Sequence, residues 1–132
     1  TQLLEWTVRA VLAAYNVNYH DYPTQLNTAG RRFSIPGWNS FAQSYMAGGS
    51  FEAMKRGRMV CYAQAQRAAT IADTRISSGR LTYNIQFPVM QTCENSQQTS
   101  TNNLVISAMV VRTNDEDRPD GLVIDQLVAI AR

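Results

Sequence analysis

The apolar period of this chain changes once, near Arg58, and that change restricts the fold more than any motif does. Before Arg58 the apolar residues recur at helical spacing. After it they alternate with polar ones. A helix-period pattern does not sit still as a strand, nor the reverse, so the chain divides into a helical first part and an extended second part. Helices followed by strands, rather than alternating with them, predict an α+β fold with the helices on one face of an antiparallel sheet.

Leu4, Val8, Val11, Leu12, Tyr15, Tyr19 and Tyr22 lie on one stripe, widened by Leu3 and Trp6, and predict a helix over 2–22 that Pro23 ends. A short polar link with Gly30 follows. Ser34 reads as an N-cap with Pro36 in the first turn, and Trp38, Phe41, Ala42 and Tyr45 continue a helix over 34–47 that stops at Gly48-Gly49. Ser50 opens a third helix over 50–56, ended by Gly57.

Met59, Cys61, Ala63, Ala65, Ala69 and Ile71 then predict a strand over 58–73. A turn at Ser77-Ser78-Gly79 precedes the cleanest alternation in the chain, Leu81, Tyr83, Ile85, Phe87 and Val89, in a strand over 80–93. Residues 95–103 hold only Asn, Ser, Gln and Thr and read as a loop. A strand over 103–112 and a last one over 121–130 complete four strands under three helices, separated by the hydrophilic turn 114–121.

Composition excludes several classes. A chain of 132 residues is one domain's worth, and 45% apolar residues suffice for a core. A net charge of +2 is a weak bias for nucleic-acid binding, including single-stranded DNA. No apolar run approaches the ~18 residues that span a bilayer. Of the 12 basic residues only Lys55 is lysine. Arg31-Arg32 and the Lys55, Arg56, Arg58 group are too small to make a phosphate-binding surface.

The two cysteines, Cys61 and Cys93, fall on strands. A hairpin centred on Ser77 sets residues whose numbers sum to 154 opposite each other: Cys61 with Cys93, Ala65 with Val89, Ala69 with Ile85, Ile71 with Tyr83. Two readings fit, a cross-strand disulfide and a pair of buried free thiols. A metal site does not fit, because partner ligands at the usual spacing are missing.

Catalytic chemistry is sparse. His20 is the only histidine, and Asp21 beside it suggests an acid–base dyad. Adjacent residues of one helix do not face each other, so a helix-terminal His is the better reading. Asp115, Glu116, Asp117 and Asp120 lack the ligand ladder of a calcium loop. No nucleophile elbow, P-loop or zinc-protease motif occurs. Trp38, Phe41 and Tyr45 read as core.

The order of these segments resembles the periplasmic domain of the DotI/IcmL/TraM proteins of type IVB secretion and conjugation systems, the conjugative TraM branch most closely. Three stretches carry the resemblance: Leu4-Glu5-Trp6 with the helix running through Ala13, Ala14, Tyr15, Asn16, Val17, Asn18 and Tyr19; Phe33-Ser34-Ile35-Pro36-Gly37-Trp38-Asn39-Ser40-Phe41; and Tyr83-Asn84-Ile85-Gln86-Phe87-Pro88-Val89. It extends over nearly the whole chain.

The resemblance implies a nuclear-transport-factor-two-like cone, related to the VirB-type inner-membrane assembly factor. It implies a periplasmic location, a transmembrane helix upstream of Thr1 and absent from this chain, and partners among the inner-membrane subunits of the secretion channel. It transfers no catalytic residue and no cofactor. The cysteines lie outside the family pattern, and a periplasmic address favours the Cys61–Cys93 bridge.

Leu104, Ile106, Ala108 and Val110 form one apolar face of their strand, and Val105, Met109 and Val111 form the other. Helices cover one face. A second subunit, or a loop folded back, covers the other. Val105, Met109, Val111 and the in-strand Asp125, placed on one face with Val123 and Leu127, are therefore the candidate interface, with homo-oligomerisation expected. The competing reading is a small-molecule-binding domain or isomerase-type enzyme, for which Tyr15, Tyr19, Tyr83 and Asp125 are the candidate polar groups. A pocket filled by Trp38, Phe41 and Phe87 counts against it.

Overall fold

The computed structural model describes residues 2–132. Helix α1 (Gln2–Tyr15) buries Trp6, Ala10, Val11, Ala14 and Tyr15. The helix expected over 2–22 stops at Tyr15 because the next residues have better partners. The Asn16 side chain donates to the Leu12 carbonyl (2.7 Å) and accepts from the Ala63 N–H (3.1 Å). The Val17 carbonyl accepts from Cys61 N (2.8 Å), and Tyr19 N donates to the Met59 carbonyl (3.0 Å). The chain thus runs as a short extended segment beside a strand. Asn18 Oδ1 then accepts from the N–H groups of His20 and Asp21 (3.0 and 2.7 Å), an Asx turn that starts a new helix.

That helix, α2 (Tyr22–Ala29), occupies the stretch expected to be a polar link. Pro23 lies in its first turn, where a missing N–H costs nothing, so the proline opens a helix instead of closing one. A 3₁₀ turn (Gly30–Arg32) leads to α3 (Ile35–Ala47), capped by the Ser34 hydroxyl accepting from Gly37 N (3.1 Å), and α4 (Ser50–Arg56) follows. Among the described residues there are four α-helices, not three.

The sheet has five strands: β1 (Val60–Ala65), β2 (Thr70–Ser77), β3 (Arg80–Glu94), β4 (Thr99–Arg112) and β5 (Leu122–Ala131). All pair antiparallel in the order β1-β3-β4-β5, with β2 also on β3. The single strand expected over 58–73 is two strands, because residues 66–69 loop out between them. The polar stretch 95–103 is mostly strand as well. Its only turn lies at 95–98, and from Thr99 onward the backbone pairs with Glu94, Cys93 and Thr92. Threonine-rich polar sequence makes good strand where one face is open to water.

Register explains the break in the first strand. The hairpin closes at Ser77 and Arg80, so β2 partners sum to 157 near the turn. Ala72 is an extra residue, and Ile71 therefore faces Ile85, while Thr74 faces Tyr83. These replace the expected pairs Ala69–Ile85 and Ile71–Tyr83. Two further residues are gained in the 66–69 loop, and β1 then sets Cys61 opposite Cys93 and Ala65 opposite Val89. Both irregularities add residues to the same strand, so its far end falls where a Ser77-centred turn would put it.

The core lies between the helices and the face of the sheet carrying Tyr83, Ile85, Phe87, Val89, Ile106, Ala108, Val110, Ile124 and Leu127. Phe33, Trp38, Phe41, Tyr45, Tyr15 and Phe51 form a chain of ring contacts with centroids 5.1–5.9 Å apart, within the favourable range for aromatic pairs. Helix α3 lies tight against β5. Ser34 N donates to the Ile124 carbonyl (2.9 Å), and Leu127 N donates to Ser40 Oγ (2.9 Å). A Cβ at position 37 would overlap the Ile124 carbonyl oxygen, so only glycine permits this approach.

Candidate functional site

The two candidate sites are the helix-to-sheet cleft and the outer face of the sheet. The cleft, about 310 Å³, is lined by Tyr15, Tyr45, Gln91, Asn102, Asn103 and Arg132 among others. Two of its polar side chains, Gln91 and Tyr45, are hydrogen-bonded to each other. The buried Gln91 amide donates to the Tyr15 carbonyl (2.9 Å) and to the Tyr45 hydroxyl (3.2 Å). The first of these satisfies a carbonyl left open at the end of α1. Burial raises the pKa of Tyr15, with the nearby Tyr45 adding to it, and burial also raises that of Tyr45. Both phenols are therefore neutral at physiological pH. No carboxylate or histidine lines the cleft among the described residues. Phe41 and Phe87 are fully buried, and Trp38 is half-buried over Phe33 and Phe41.

The four polar groups considered for catalysis do not converge. Tyr15 is at the cleft. Tyr19 is exposed in the segment beside β1. The Tyr83 hydroxyl accepts from Arg112 Nε (3.0 Å), and Asp125 accepts from the Ser34 hydroxyl (2.7 Å). His20 and Asp21 do meet, at 2.8 Å, contrary to the expectation for neighbours on one helix. They sit in a turn, where adjacent side chains can face each other. The pair is exposed, and Asp21 is held below the usual carboxylate range by its hydrogen bonds to His20 and Asn18.

The hydrophilic turn 113–121 is tied down rather than loose. Asp120 accepts from the Trp6 indole (3.2 Å), and Arg118 donates to the carbonyls of Arg31 (2.8 Å) and Phe33 (3.2 Å). Lys55 pairs with Glu52 (3.2 Å) and lies over the Phe51 and Tyr22 rings. No cluster of metal-ligating side chains occurs among the described residues.

The outer face treats the candidate interface residues unequally. Val105 is exposed and stands between Pro88 and Ile130 on the neighbouring strands. Met109 is half-buried, with its sulfur 3.8 Å from the Arg75 guanidinium. Val111 is buried, opposite Val123 and Thr82.

Asp125 does not share a face with Val123 and Leu127. It is the extra residue of a bulge between Met109 and Val110, which leaves Leu127 facing inward, Val123 outward, and the Asp125 carboxylate free to reach Ser34. The bulge also turns Val128 (40% exposed) and Ile130 (62%) onto the outer face beside Val105. Sequence reading missed both. Period-2 alternation counted back from Ile130 would have found them, had counting not begun at Val123. Tyr62 and Val60 of β1 are exposed on the same face, opposite Thr92 and Glu94. Cys61 and Cys93 are disulfide-bonded, with 4.0 Å between their Cα atoms.

The architecture is that of a small α+β domain, and its likenesses are specific. It superimposes on the periplasmic domain of DotI with a TM-score of 0.92, at 25% identity over 98% of this chain and 94% of that one. It superimposes equally well, at 20% identity, on a periplasmic fragment of TraM, covering 100% and 98% of the two chains. An IcmL-like type IV secretion system protein from Legionella pneumophila gives 0.85 at 18% identity, covering 99% and 91%. No curated protein sequence matches at a significant level. The DotI/IcmL family model, described as a type-IV b secretion system inner-membrane complex component, matches residues 1–131. The chain belongs to this family. Among the described residues, no helix is long and apolar enough to cross a membrane.

Proposed function

We propose that this chain is the periplasmic, non-enzymatic assembly domain of an inner-membrane-anchored subunit of a type IVb secretion or conjugation apparatus. A transmembrane helix upstream of Thr1 holds it to the periplasmic face of the bacterial inner membrane. It packs against other inner-membrane subunits and against copies of itself, and it needs no cofactor and no direct contact with nucleic acid. The observation that carries this reading is the outer face of the sheet. It presents Val105, Val128 and Ile130 as an exposed apolar group, set among the uncharged Ser107, Gln86 and Asn103. Exposed apolar patches rimmed by polar groups mark protein contacts. The disulfide supports an oxidising compartment.

The test uses the full-length protein in its own membrane, carrying Val128→Glu with Ile130→Glu. Co-purification of neighbouring inner-membrane subunits and substrate transfer should both fall, while the isolated domain melts at an unchanged temperature. Full transfer with both glutamates in place would sink the reading.

A further inference from the structure

Two of the three outer strands of this sheet have partners on their outer sides. The segment 16–19 covers β1, and α3 with Ser34 covers β5. Strand β2 has β3 on one side and, among the described residues, no element on the other. All eight of its residues are exposed, including Ile76 at 75% and Ile71 at 45%. An open edge of that length is a template for another strand, and natural proteins usually guard such edges with charge or a bulge. Here the guard consists of the bulge at Ala72 and one charge of each sign, Asp73 and Arg75. Neither has an ion-pair partner among the described residues. Charges of a single sign repel a second copy, whereas this pair does not.

We propose that β2 pairs antiparallel with β2 of a second copy, about a two-fold axis at Thr74, joining the two sheets into one. This deepens the assembly reading above by naming one partner and its register. The turn fixes the phase. Ser78 (φ 52°) and Gly79 (φ 76°) form a two-residue turn with both residues left-handed, which closes on the hydrogen-bonded pair Ser77–Arg80. Alternation from that pair turns the peptide groups of Thr74 and Ile76 away from β3, toward the open edge.

A second β2 must bring its own outward groups opposite these, so allowed registers differ by two residues. Centring on Thr74 sets Asp73 directly across from Arg75 of the second copy, twice. Moving one step either way sets Arg75 against Arg75 or Asp73 against Asp73. Opposite charges across strands stabilise and like charges destabilise, so one in-phase register is selected. The contact is isologous and closes as a dimer.

Sedimentation velocity on this chain over a range of concentrations tests the proposal. The wild type should dimerise. Asp73→Arg should weaken the dimer at least about tenfold, and Asp73→Arg with Arg75→Asp should restore it. Thr74→Pro removes an outward N–H without touching the β3 ladder, and should abolish the dimer at an unchanged melting temperature. A wild type that stays monomeric at the highest concentration overturns the inference. So does a dimer indifferent to both Thr74→Pro and Asp73→Arg. A dimer that is lost only with Val128→Glu overturns it too, while leaving the outer-face reading intact. Conversely, β2 variants that lose the dimer but still capture neighbouring subunits separate the two surfaces.

Discussion

Strands β1 and β2 lie on the same side of β3 and pair with it in the same antiparallel sense, yet they live in different environments. The strand β1 has an extended segment beyond it, a covalent tie through Cys61, and core contacts at Cys61, Ala63 and Ala65. Among the described residues the strand β2 pairs with β3 alone, and every one of its residues is exposed. Since the ladder is common to both, the contrast isolates what the ladder does not supply. Backbone pairing adds little net stability where water could satisfy the same groups, and cover makes the difference.

The largest break in this contrast should come from removing the tie. Cys93→Ser frees a loop closed across 32 residues and should cost about 3–4 kcal/mol. The shift in urea midpoint of the variant, compared with wild type with and without reductant, measures it. Next, Gly37→Ala should cost about 2–3 kcal/mol by forcing α3 off β5, read as a lower melting temperature. Gln91→Ala should cost about 2 kcal/mol, because it strands the Tyr15 carbonyl in the core.

Alkali should act through the buried phenols of Tyr15 and Tyr45. Tyr15 has a raised pKa in the fold, so its stabilising effect is complete below the ordinary phenol value of 10.0 and declines as pH rises above it. The decline is about 1.4 kcal/mol at pH 11, and unfolding titrations from pH 9 to 11 should follow it, with Tyr15→Phe flattening the slope. At the bottom of the scale, Arg75→Ala on β2 should change monomer stability by less than about 0.5 kcal/mol. Hydrogen exchange of the dilute chain should find β2 amides open well before those of β1.

The sequence carried the class of the fold because the apolar period is a property of the core, and the core obeys it. Strand β3 and helix α3 are legible from Tyr83 to Val89 and from Ser34 to Tyr45 for that reason. What escaped was set by tertiary hydrogen bonds. Residues 16–19 leave the helix because β1 offers them partners. Pro23 opens a helix because Asn18 builds the turn before it. The bulges at Ala72 and Asp125 reverse which side chains face out, and no local signal marks either. The outer-face patch was therefore reached through Val105 alone; Val111 lies on the same face but is buried, and Asp125 turns to Ser34.

The Cys61–Cys93 bond has a mechanical consequence. A load applied between α1 and β5 passes through the bond and bypasses the chain between the two cysteines. At about 3.4 Å per residue, the 32-residue separation withholds roughly 110 Å of contour length from extension. The hairpin formed by β2 and the first half of β3 lies within that bypassed stretch. An oxidised chain under tension would give up its helices and β5 while this loop carried no force.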